Sequence, residues 1–190
     1  MSSTGRLWRA IAKPPLRLAR RVAYPLLQRW IAAGEPDQSG PRVSFLLQHA
    51  YGMGGTIRAV FTLAGELAES GEVEVISVVR SRRKPFFAPP ARVRLRAMHD
   101  RTGRPPTGIA GLLARLPSLL VHEEDGAFGS CSALTDLRLV RALRAMPSGV
   151  LVTTRPGFSV LAARLAPPRV TVVAHEHVSH RNHRPGLARA

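Results

Sequence analysis

The sequence predicts an α/β protein built on an open, doubly wound and mostly parallel sheet. Short apolar runs of strand length recur along the chain, and segments whose apolar residues repeat at helical spacing lie between them. The strand candidates are nearly continuous in apolar character rather than alternating, as parallel strands covered on both faces require. The first two sit within about forty residues with one helical stretch between them, which is the reach of a right-handed βαβ unit.

Val43 to Gln48 reads as the first strand, and His49 to Gly55 as the loop that leaves it. From Thr56 the residues Ile57, Val60, Phe61, Ala64, Leu67 and Ala68 keep a helical stripe, with Gly71 placed to give a left-handed cap. Val73 to Val79 is the second strand. Arg82 to Pro90 is a basic, proline-bearing loop, and Arg92 to Ala97 alternates arginine with smaller or apolar residues, the period of an edge strand. Ile109 to Leu116 is a short helix stopped by Pro117. Ser132 to Met146 is a longer one with Leu134, Leu137, Val140 and Leu143 inward, and the acidic, glycine-bearing stretch between the two reads as a surface loop. Val150 to Thr153 is a buried strand, Pro156 can open the helix that runs through Val160 to Leu165, and Val170 to Ala174 is the last strand.

Ahead of this pattern lies a different segment. Residues 1–34 carry seven basic side chains and no acidic one, and 35–41 is a linker rich in glycine, proline, aspartate and serine. Leu18, Val22, Leu26 and Trp30 recur at helical spacing, with Arg17, Arg20 and Arg21 on the other side and Arg29 breaking the segregation. Pro14, Pro15 and Pro25 predict that any helix here is limited to two or three turns. Basic charge beside tryptophans is what an anchor at an anionic membrane surface needs. A disordered leader, a transit peptide or a helix packed on the domain would have the same composition.

The chain of 190 residues, 45% of them hydrophobic, is long enough for one ordinary domain with a sizeable core. Its net charge of +16 is guanidinium charge, because Lys13 and Lys84 are the only lysines, and arginine favours phosphate or carboxylate partners. A single cysteine, Cys131, excludes a disulfide scaffold and a thiolate zinc site and fits a reduced compartment. No apolar stretch approaches the ~20 residues of a membrane-spanning helix. Nucleic-acid binding would use the charge, but aromatic residues make up only 5% and no recognition motif is present, so nucleic acid is not expected as a partner.

In an open parallel sheet, ligands bind beyond the carboxyl ends of the strands. Two such ends carry chemistry. The first is His49-Ala50-Tyr51-Gly52-Met53-Gly54-Gly55-Thr56-Ile57-Arg58, where glycines let backbone amides approach a ligand and a helix N-terminus favours an anion. It has neither the dinucleotide spacing nor the P-loop lysine, and a purely structural tight turn remains the alternative. The second is Ala174-His175-Glu176-His177-Val178-Ser179-His180-Arg181-Asn182-His183. Four histidines in nine residues raise metal binding, but the zincin pattern fails at Ser179, so no metal is expected. A His-Glu-His directly after a buried strand is a candidate for hydrogen bonding or proton transfer, or else a hydrogen-bonded loop.

The runs VSFLLQHAYGMGGTIRAVFTLAGELAESGEVEVISVVR and GVLVTTRPGFSVLAARLAPPRVTVVAHEHVSH resemble the N-terminal, acceptor-side Rossmann-like domain of retaining GT-B glycosyltransferases of the bacterial cell-wall polymer and polysaccharide type. The resemblance covers about residues 42–180 and leaves 181–190 as a tail. It implies transfer of a sugar, with retention, from a nucleotide-diphosphate sugar to a cell-wall polymer, lipid or polysaccharide, with no further cofactor. It implies that Gly52, Gly54, Gly55 and Thr56 lie near the donor diphosphate and acceptor, with Arg58 as a phosphate or acceptor contact. His177 would contact the donor sugar near the reacting carbon, and Glu176 and His49 are weaker correspondences. The second Rossmann-like domain of that family does not follow, so the chain is expected to be inactive alone, as a fragment, a truncated gene product or half of a split enzyme that works with a separate C-terminal half. A non-catalytic anion- or partner-binding module and an inactive gene fragment are the alternatives. A cytoplasmic protein, peripheral on the inner face of the plasma membrane, is the expected location.

Overall fold

A computed structural model describes residues 13–176, with side chains from residue 18 onward. Five strands, β1 (Val43–Leu47), β2 (Val73–Arg80), β3 (Val93–Asp100), β4 (Gly149–Thr153) and β5 (Val170–Ala174), form one sheet in the order β3-β2-β1-β4-β5. Every neighbouring pair is parallel. The doubly wound, Rossmann-like α/β arrangement expected from the sequence is therefore present.

The pleat sorts the strand residues onto two cores. Phe45, Leu47, Val73, Val75 and Val152 face the helix α2 (Gly55–Leu67), which buries Ile57, Val60, Phe61 and Ala64 against them. Leu46, Ile76, Met98 and Leu151 face the opposite side, where α4 (Ala133–Ala145) and α5 (Pro156–Leu165) pack with Leu139, Val140, Leu143, Phe158 and Leu161. The α4 stripe differs from the expected one in that Leu139, not the half-buried Leu137, lies in the core. Ser132 caps α4 with a capping box closed by Thr135, which fixes where that helix begins. Between β3 and α4 lies the short helix α3 (Gly108–Arg115), which buries none of its residues.

Several sequence expectations need correction. The α2 helix ends at Ala68 in right-handed geometry, and Gly108 alone among the described residues has a positive φ, so Gly71 is not a left-handed cap. The described part of the basic segment forms one continuous helix, α1 (Lys13–Ala32), rather than two or three turns. Pro14 and Pro15 fall in its first turn, where no backbone donor is needed, and Pro25 inside it is tolerated because tertiary packing holds both sides. That packing uses Ile31, with Tyr24 and Leu27, against the α4 and α5 core. Arg20 therefore lies on the inward face, and Leu18, Val22, Leu26 and Trp30 face outward.

The acidic stretch after α3 is likewise not a surface loop. Glu123 and Asp125 are buried, and residues 119–121 run along α1. The Arg20 guanidinium donates to the Leu119 and Val121 carbonyls and pairs with Glu123, while the Tyr24 hydroxyl donates to the Leu120 carbonyl. Such an arrangement satisfies the donors of a buried guanidinium, which an isolated ion pair would not.

Candidate functional site at the sheet switch point

Successive crossovers run from β1 to β2 and β3 on one side, and the chain then returns to place β4 on the other side of β1. The strand order reverses between β1 and β4, so a crevice opens outside their carboxyl ends. Into that crevice lead the glycine loop after β1, the Thr154–Arg155 turn after β4, and the His175–Glu176 end of β5.

The first half of the glycine loop is fixed from below. The Ala50 amide donates to Ser77 Oγ at 2.8 Å, that buried hydroxyl donates to the Val79 carbonyl at 2.9 Å, and the Val79 amide donates to the Gln48 carbonyl at 2.9 Å. Tyr51 is buried, with the Arg80 guanidinium 5.1 Å from its ring centroid. Gly52 lies against His49, whose imidazole atoms would stand 2.6 and 2.7 Å from a Cβ added there. A side chain at Gly52 would displace the His49 ring.

The second half is open. Met53 is 69% exposed, a Cβ at Gly55 would meet nothing within 4 Å, and one at Gly54 would meet only the Ile57 side chain at 4.0 Å. Gly54 is the N-cap of α2 and has no side chain to cap it, and no side chain of the described residues accepts from the amides of Gly55, Thr56 or Ile57. Arg58 stands exposed in the first turn, with no side-chain hydrogen bond or ion pair to any described residue.

The neighbouring helix N-terminus differs. Asp125 reaches from the acidic segment and accepts from the Gly157 amide at 2.8 Å, the Arg155 Nε at 3.0 Å and the Ala127 amide at 2.6 Å. Its carboxylate seals the start of α5 and holds the Arg155 guanidinium. Of the two helices that begin at the switch point, α5 has its N-terminus closed by a carboxylate, and α2 has none from the described residues.

Parallel pairing places the remaining candidates. Leu46 pairs with Thr153, Thr153 pairs with Ala174, and the His175 amide donates to the Thr153 carbonyl at 2.8 Å. His175 and Glu176, both half-buried, thus stand on the same rim as the glycine loop, two strand spacings away, or roughly 10 Å. His177, His180 and His183 lie outside the described residues, as does any metal ligand set they would form. Among the described residues no group of three His, Cys, Asp or Glu is placed to hold a metal ion. Cys131 is buried, and burial pushes its thiol up to about 12, so it is no nucleophile.

The role of Asp125 was not legible in the sequence. Its partners at Arg155 and Gly157 lie 30 and 32 residues away, and no spacing rule connects them. An acidic residue in a glycine-bearing stretch shortly before a Ser-capped helix was the only local signal.

A helix-start loop followed by an exposed arginine on a parallel sheet has the chemistry to meet an anion. The chain is 39% identical over 145 residues to an exopolysaccharide phosphotransferase of Streptomyces coelicolor. That match takes in 72% of this chain and 15% of the relative, so the chain spans a small part of the relative's length. No protein-family model matches the chain, and no solved structure matches it.

Proposed function

We propose that this chain is the acceptor-side domain of a transferase of polysaccharide biosynthesis that uses a nucleotide-diphosphate sugar as donor. The observation that carries the reading is the unsealed N-terminus of α2 at the switch point, next to an α5 N-terminus that Asp125 already occupies. The diphosphate would lie across the amides of Gly54, Gly55 and Thr56 with Arg58 as counter-charge, because a helix N-terminus and a guanidinium both favour an anion there. Gly54 and Gly55 then owe their missing side chains to the ligand, since no protein atom crowds either position. By the GT-B resemblance, Glu176 and His177 would act at the donor sugar and acceptor; Glu176 follows β5 on the other side of the crevice.

By its resemblance to GT-B enzymes, the reaction is glycosyl transfer with retention. The sugar C1–O bond breaks, the acceptor hydroxyl oxygen takes C1, its proton passes to the departing phosphate or to solvent, and a nucleoside diphosphate leaves. The name of the Streptomyces relative favours a second reading, transfer of the sugar together with its phosphate. In that case the acceptor oxygen attacks phosphorus, the P–O–P anhydride breaks and a nucleoside monophosphate leaves. A second domain would complete the donor site in either case.

Titration of the chain with a nucleoside diphosphate, followed by amide chemical shifts, tests the site. Shifts confined to residues 52–58, and a loss of affinity of about tenfold in Arg58→Ala, the usual weight of one charge-assisted hydrogen bond, are expected. Binding that leaves these amides unmoved, or that Arg58→Ala does not weaken, would overturn the placement. Binding whose affinity collapses with salt and shows no nucleotide preference would favour a non-catalytic anion-binding module. In an assembled enzyme, the nucleotide released decides between the two transfers, and His177→Ala is expected to abolish turnover with the fold intact.

A further inference from the structure

We propose that the outward face of α1 is a docking surface for an anionic lipid bilayer, laid flat on the membrane while the opposite face is clamped to the α/β body. This inference stands independently of the nucleotide reading. The inward face, with Arg20 paired to Glu123 and Ile31 in the core, is fully used by the protein. The outward face is not. Leu18 is 66% exposed, Val22 61%, Leu26 63% and Trp30 44%, a run of large apolar residues at every fourth position.

Steps of four residues advance the stripe by about 40° each, so from Leu18 to Trp30 it sweeps about 120° of the helix over ~18 Å of length. That is the arc and length of an interfacial helix lying in the headgroup layer rather than the narrow seam of a coiled coil. The charge identifies the occupant. Arg21 and Arg29 stand exposed beside the stripe, and α1 contains no acidic residue. The Arg144 guanidinium stacks over Trp30, with its carbon 4.2 Å from the ring centroid, and donates to the Trp30 carbonyl. A second copy of the same face would bring like charges together, whereas anionic headgroups neutralise them while the indole and leucines enter the boundary layer. No described helix is long and apolar enough to cross a membrane, so the contact is with the surface.

Vesicle flotation of the full chain tests this. Binding to phosphatidylglycerol-containing vesicles, weakened by salt, and little binding to phosphatidylcholine alone are expected. Val22→Glu with Leu26→Glu should reduce binding at least about tenfold through lost apolar burial, and Arg21→Ala and Arg29→Ala about fivefold each. An unchanged melting temperature would confirm that these exposed substitutions leave the fold intact. In a Trp8→Phe background, the Trp30 emission should shift to the blue on anionic vesicles. Full binding by the double glutamate variant would overturn the proposal. So would equal binding to neutral vesicles, or a parental dimer that sedimentation shows to be broken by Val22→Glu with Leu26→Glu, because a second copy would then be the occupant.

Discussion

Arg20 shows how one residue changes meaning between sequence and structure. On a helical projection it belongs with Arg17 and Arg21 as solvent-facing charge, yet it is 8% exposed and bonded to Glu123 and two carbonyls. Removing it would leave the Glu123 carboxylate buried without its counter-ion, so Arg20→Ala is expected to cost about 3–5 kcal/mol in chemical denaturation. Asp125 is a second such centre, linking the acidic segment to the start of α5. Asp125→Ala should cost about 2–3 kcal/mol by leaving the Gly157 and Ala127 amides and the Arg155 guanidinium without their acceptor. The same variant would free the α5 N-terminus, and nucleoside-diphosphate titration should then show a second, weaker set of shifts near Gly157.

At the scale of elements, the span of α4 matches the sequence expectation, Ser132 to Met146 against Ala133–Ala145, while its cap is read from the structure. Ser132 followed three residues later by Thr135 closes a reciprocal cap, and Ser132→Ala is expected to lower the melting stability by about 1 kcal/mol. Strands β1, β2 and β4 were equally legible, because buried parallel strands are continuous apolar runs with few competing readings; β5, just as apolar in sequence and expected to be buried, is an edge strand with Thr171, Val173 and Ala174 exposed. The α1 helix was not. Three prolines argued for a broken element, and the energy that overrides Pro25 comes from contacts of Tyr24, Leu27 and Ile31 with a core formed more than a hundred residues later in the chain. The segment around Glu123 and Asp125 was misread for the same reason, since its polar residues are buried by partners that no local pattern announces.

Across the whole molecule, two buried carboxyls on the face that carries α1, α4 and α5 give stability a pH dependence of opposite signs. Burial works to raise the Glu123 carboxyl, but the Arg20 hydrogen bond and charge hold it down to about 2, from an ordinary 4.5. Its contribution is therefore present above about 4.5 and lost as pH falls through about 2. Burial raises Asp136 to about 6 from 3.8, against the lowering effect of hydrogen bonds from Ser118 and the Leu119 and Leu120 amides. Its contribution is present below about 3.8 and lost as pH rises through about 6. Unfolding free energy measured from acid to neutral pH should show Glu123→Gln flattening the acid limb, while Asp136→Asn flattens a decline between pH 4 and 6, the interval between the two Asp136 values. The sequence by itself determined the fold class, the strand positions, the glycine loop and the basic excess, because periodicity, glycine placement and composition are properties of neighbours along the chain. Tertiary structure alone decided which face of α1 is buried, that Asp125 closes one helix start, and that no carboxylate of the described residues closes the start of α2. Those outcomes depend on groups brought together from distant parts of the chain by burial and pairing, and no local spacing encodes them.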